Sequence, residues 1–110
     1  RDESMAQKMI NDALVLQKAG ADLMLLECVP EILAAKITQA LDIPVIGIGA
    51  SAACDGQILV LYDILDISLG MRPRFSKNFM VDADSIEQAI QHYVDEVKQG
   101  SFPAKEHVFN

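Results

Sequence analysis

Positive charge is scarce in this sequence: 9 Lys and Arg stand against 16 Asp and Glu, a formal net charge of −7 over 110 residues. Nucleic acids and anionic membrane surfaces are recognised by clustered Lys and Arg, so the acidic balance excludes both as partners. No apolar run approaches the roughly 20 residues that a membrane-crossing helix requires. The charged start "RDES" reads as neither a signal nor a transit peptide, and a cytoplasmic location is expected. Cysteine and histidine are also few, 2 of each. Cys28 and Cys54 form no CxxC pair and have no neighbouring His, which argues against a zinc site or redox motif and leaves buried free thiols. His92 lies inside a helical pattern and His107 in the tail, and both are expected at the surface. Repeats, linkers and low-complexity segments are lacking, so residues 1–110 read as part of one domain.

What is present is a regular alternation of apolar patterns. Met5, Met9, Ile10, Ala13, Leu14 and Leu16 recur at helical spacing between Ser4, a possible cap, and Gly20, a stop, which predicts a helix over 4–19. The unbroken run that follows predicts a strand over 23–26, buried on both faces. Pro30 suits the first turn of a second helix, whose stripe of Leu33, Ile37, Ala40 and Leu41 runs up to Asp42. Residues 44–49, "PVIGIG", predict a second buried strand whose glycines admit another backbone or a ligand. The segment after it reads two ways. Parallel strands need a crossover of about a dozen residues, and Ile58, Leu61, Tyr62 and Leu65 fall at i, i+3, i+4 and i+7, so a helix capped by Asp55 is expected over a strand. A third strand is expected over 74–79, with Phe75, Lys77 and Phe79 on one face. A last helix is expected from Asp84 or Ser85 to Gly100, followed by an extended tail. The order implies an α/β fold with a parallel sheet and right-handed crossovers.

In such architectures the C-terminal strand ends hold the chemistry. Glu27 ends the first strand, in "LLECVP"; in the strand's middle a carboxylate would cost on the order of several kcal/mol unless paired or protonated, so its place at the strand end calls for an explanation. A half-buried carboxylate there suits a general base. The alternative reading, an acid that caps the next helix or pairs with a lysine, stands beside it. "GIGASAACDG" lacks the third glycine of a dinucleotide-binding loop, since Ala52 takes its place, and no phosphate-loop lysine follows. Asp55 as a metal ligand is disfavoured against a helix cap. Arg72 and Arg74 in "RPRF" could bind an anion or be two solvated side chains.

"LLECVP", "IPVIGIGA", "CDGQILVLYD", "PRFSKNF" and "FPAKEHVF" resemble, in order and spacing, the C-terminal part of the ketopantoate hydroxymethyltransferases, enzymes of pantothenate synthesis. The resemblance implies a (β/α)8 TIM barrel, of which this chain would be the C-terminal βα units: about three strands and four helices, under half the family's length. It implies hydroxymethyl transfer from 5,10-methylenetetrahydrofolate to 2-oxoisovalerate, with Mg2+, in a homo-oligomer that is decameric in the family. The glutamate of the "LECVP" motif, here Glu27, is implied to be the base that removes the proton from carbon 3 of the ketoacid. Ser51 departs from the glycine usual after "GIGA", at a loop over the folate side. The family's metal-binding Asp and Glu residues and its ketoacid-contacting lysine come from early strands, so no residue here inherits those roles and the Mg2+ ligands are expected outside the chain. Three readings stay open: a portion of this hydroxymethyltransferase, to be completed by an N-terminal part; a carbon–carbon lyase or mutase of the same barrel group with another proton acceptor; or a non-catalytic truncated piece.

Thiol titration of the denatured chain without reductant is expected to count two free thiols, because neither spacing nor a reducing compartment favours a bridge. A count of none would contradict this reading.

Overall fold

The computed structural model describes residues 3–110. Helix α1 (Glu3–Lys18) is followed by strand β1 (Met24–Glu27), helix α2 (Glu31–Ala40) and strand β2 (Val45–Ile48). After these come a two-residue strand β3 (Gly56–Gln57), a single helical turn α3 (Leu61–Ile64) and helix α4 (Ile86–Gln99). The three strands are parallel, in the order β1-β2-β3. The expected βα alternation is thus present through β2. Ser4 lies within α1 instead of capping it, and Pro30 sits one residue ahead of α2 with no side-chain cap.

Register explains the core. Met24 pairs with Val45 and Leu26 with Gly47, while Leu25 pairs with Ile46 and Glu27 with Ile48. Since side chains alternate across a strand, Met24, Leu26 and Val45 face one side. There they join Ala13 of α1 and Leu33, Ala34 and Ile37 of α2 in one cluster. Ile37 and Val45 are fully buried, each worth about 1.5–3 kcal/mol relative to exposure. The expectation of strands buried on both faces is met only in part: α1 and α2 cover one face, and opposite them Ile48 of β2 is buried. On the other, Leu25 is 51% and Ile58 46% exposed.

The segment after β2 corrects the sequence reading twice. Asp55 does not cap a helix: its carboxylate accepts the Val45 N–H at 2.8 Å, and its own N–H donates to the Val45 carbonyl at 2.9 Å. The chain then forms β3, and Ile58 N–H continues the ladder to the Gly47 carbonyl at 3.0 Å. The crossover rule concerns helices carried over a sheet face. Here the return need only descend four strand residues, about 13 Å, which the connection 49–55 spans without a helix. Ser51 folds that connection, its hydroxyl accepting Ala53 N–H at 2.9 Å and its carbonyl accepting Gln57 Nε2 at 2.6 Å.

The third strand expected over 74–79 is absent as well. Ser76 N–H and Oγ both donate to the Pro73 carbonyl at 3.0 Å, and the Asn78 side chain accepts Met80 N–H at 2.8 Å. Such local bonds compete with a ladder. Phe79 instead enters a second core with Ile64, Ala89 and Phe102, its ring edge-on to those of Tyr93 and Phe102 at 5.4 Å. Helix α4 has the ends its sequence predicts: Ser85 Oγ accepts Gln88 N–H at 3.0 Å, and Gly100 is left-handed. The tail is not wholly extended, since Lys105–His107 forms a 3-10 turn. His107 is buried, not superficial, and its Nδ1 accepts Ala104 N–H at 3.0 Å. His92 is partly buried.

Two stability measurements follow. Gly49 has φ +64°, and a Cβ there would lie 2.6 Å from Phe75 Cβ, whereas Gly20 at φ +109° has open space around it. Gly49→Ala is expected to lose about 2–4 kcal/mol, combining left-handed strain with overpacking. Gly20→Ala should lose only the strain part, as read by urea denaturation. Burial, foremost, holds the His107 imidazole below its ordinary pKa, with Glu106 opposing this. The unfolded chain then binds the extra proton first, so stability is full above about pH 6.5 and falls as pH drops through the folded value. His107→Phe should flatten this acid-side fall in the urea midpoint.

Candidate functional site

Glu27 occupies the C-terminal end of β1, opposite Ile48, where a parallel sheet collects its functional groups. Alternation turns it to the sheet face away from α1 and α2. The expected half-burial is not met: the side chain is exposed, although its register partner Ile48 on the same face is buried. The alternative of a helix cap or lysine partner fails too. Among the described residues Glu27 makes no hydrogen bond or ion pair, and α2 carries its own first-turn acid, Glu31.

The backbone just beyond Glu27 is unusual. Cys28 has φ +54°, a conformation that costs a non-glycine residue about 1–2 kcal/mol. Its N–H still donates to the Ile48 carbonyl at 2.9 Å, so the ladder holds through the turn. Val29 and Pro30 are buried behind it. Sequence offers no signal for this turn, because cysteine does not advertise a left-handed backbone as glycine does. On the neighbouring strand Gly49 does signal close approach, and it is Phe75 from the 65–85 segment that packs on it.

Neither thiol is an activated nucleophile. Burial, and then the charge of Glu27, raises the Cys28 pKa; Cys28 is only partly buried, against expectation. Burial chiefly raises that of Cys54, which accepts a bond from Thr38 Oγ1 at 3.7 Å. Asp55 is engaged by Val45. Among the described residues no three His, Cys, Asp or Glu side chains come together to hold a metal ion. The two arginines are neither free nor paired as an anion cradle. Arg72 bonds the Asp63 carbonyl at 2.7 Å and pairs with Asp66, and Arg74 lies over the Phe109 ring at 5.1 Å.

A groove of about 630 Å³ runs between α1 and α2 past Met5, Met9, Ile10, Ile32 and Lys36. It does not include Glu27. Concavity and chemistry part company here, because the groove lies among the helices and Glu27 stands exposed on the opposite sheet face. Geometry thus brings Glu27, Cys28, Ile48 and Gly49 to one sheet end and leaves Asp55, at the start of β3, and His92 and His107, in the second packing unit, outside it.

Known proteins resemble this chain in sequence. The family described as ketopantoate hydroxymethyltransferase matches residues 1–105. The 3-methyl-2-oxobutanoate hydroxymethyltransferase of Aliivibrio fischeri (strain MJ11) is 53% identical over 110 residues, all of this chain and 42% of that protein. Its counterpart in Shewanella frigidimarina (strain NCIMB 400) is 56% identical over the same shares. That of Marinobacter nauticus is 57% identical over 109 residues, 99% of this chain and 41% of that protein. The chain spans about two fifths of the length of these curated relatives. With nearly every residue matched, the chain belongs to the ketopantoate hydroxymethyltransferase family.

Proposed function

We propose that this chain is the C-terminal portion of a single (β/α)8 barrel domain that transfers a hydroxymethyl group to 3-methyl-2-oxobutanoate, forming ketopantoate for pantothenate synthesis. Its co-substrate is 5,10-methylenetetrahydrofolate. The observation that carries the reading is the placement of Glu27 at a strand's C-terminal end, on the face opposite the helices. In a closed parallel barrel that face looks into the lumen, and its C-terminal rim is where substrate sits.

In this reading the carboxylate of Glu27 takes the proton from carbon 3 of the ketoacid. The absence of a competing lysine or helix-cap bond leaves both carboxylate oxygens available for that proton. Cys28 is no rival, since burial and the charge of Glu27 raise its thiol pKa. The metal ligands belong to the earlier strands, as do the remaining walls of the pocket, and no step is assigned to the metal here. The open face with Leu25 and Ile58 and the outer edges of β1 and β3 are the surfaces that the other strands of the barrel would cover. The complete enzyme is proposed to be a cytoplasmic homo-oligomer.

In a complete enzyme carrying this segment, Glu27→Gln should preserve folding and lower carbon 3 proton exchange of 3-methyl-2-oxobutanoate by about 10²- to 10⁴-fold. Exchange followed by NMR in deuterated water measures it directly. A near-normal rate would remove Glu27 from the role of base.

A further inference from the structure

Helix α2 has an N-terminus without a cap of its own. Pro30 offers no side-chain acceptor, and the first helical N–H, that of Glu31, donates instead to the carbonyl of Phe109 at 2.7 Å. A residue 78 positions further along the chain thus satisfies a donor that Ser, Asp or Asn would ordinarily satisfy locally. The tail is held there by more than that bond. Phe102, His107 and Val108 are buried, and the Phe102 and His107 rings meet at a tilt of 53° with centroids 5.0 Å apart. Arg74 secures the last stretch: its guanidinium lies over the Phe109 ring at 5.1 Å, and its Nε donates to the Glu106 carbonyl at 3.3 Å.

Between Glu27 and Glu31 lie Cys28, Val29 and Pro30 alone. One end of this connection is tied by Cys28 N–H to Ile48, and the other by Glu31 N–H to Phe109. Proline fixes one of the intervening dihedrals, and Cys28 holds a backbone conformation that would relax if either tie opened. We infer that the C-terminal tail is a positioning strap for Glu27, with Phe109 as the cap of α2 and Arg74 as the positioning residue that holds Phe109. This rests on the reading of Glu27 as the base. It assigns the arginine of "PRF" a task other than anion binding.

The test uses the full-length enzyme carrying this segment, in four forms: unaltered, Arg74→Ala, Arg74→Lys, and ended after Val108. Amide hydrogen exchange at Glu31 reads the strap, and exchange at Ala89, in the second core, reads global stability. Loss of an exposed cation–π contact should speed Glu31 exchange by about 2- to 5-fold in Arg74→Ala. Ending the chain after Val108 should speed it by about 10-fold, since the acceptor itself is gone. In both, kcat and carbon 3 proton exchange should fall, by about 10-fold in the shortened form, with KM for the ketoacid within about twofold, because a displaced base loses alignment and not binding. Arg74→Lys, which keeps a cation over the ring, should recover a large part of both effects. Unchanged Glu31 exchange in the shortened form overturns the strap, as does faster Glu31 exchange with unaltered kcat. Equal acceleration at Ala89 also overturns it, by revealing general destabilisation. Glu31 exchange does not depend on the chemistry of Glu27, so the strap and the base can fail separately.

Discussion

Parallel pairing of β1 with β2 sets the position of nearly everything else in this chain. Four paired residues put Met24 and Leu26 beside Val45 on the face that α1 and α2 cover. The same alternation sends Leu25 and Glu27 to the other side. A slip of one residue would exchange the two sets, exposing the core residues and burying an unpaired carboxylate, which is expensive. The hydrophobic demand of one face therefore fixes the direction of the acid on the other.

A parallel sheet is normally covered on both faces, and here the second face is covered only in part, at Ile48. The consequence is visible in the half-exposed Leu25 and Ile58 and in the exposed Glu27. It also accounts for the separation between the acid and the groove of α1 and α2. A helix pair can form a groove on its own, whereas a barrel site needs strands from all sides. Family membership over two fifths of its relatives' length agrees with a sheet that offers one reactive group and lacks the remainder of a site.

The second core, around Phe79, Tyr93 and Phe102, is distinct from the first. Two features bridge them: Phe75 packed on Gly49, and the tail that returns to the start of α2. Lys77 pairs with Glu96 at 2.8 Å, but a partly exposed pair of this kind contributes about 1 kcal/mol at most. Aromatic packing, with rings edge-on, is the stronger cement. Tyr93 takes part in it at a cost, since its buried hydroxyl has no partner among the described residues, and burial raises its pKa.

What the sequence determined by itself was whatever depends on neighbours in the chain. The runs before Glu27 and Gly49 are strands because they are unbroken and apolar. Helix α4 begins at Ser85 and ends at Gly100 because one supplies a side-chain acceptor and the other a left-handed turn. The ordered motifs sufficed for the family and put Glu27 at a strand end. Residues 55–60 and 74–79 went the other way, and of the expected helix only the turn Leu61–Ile64 formed: Asp55 found Val45, and Ser76 and Asn78 bonded the nearby backbone. The burial of His107, the left-handed Cys28 and the cap that Phe109 lends to α2 depend on partners far along the chain. Tertiary structure decided these, because a hydrogen bond formed across 78 residues leaves no periodicity in either segment it joins.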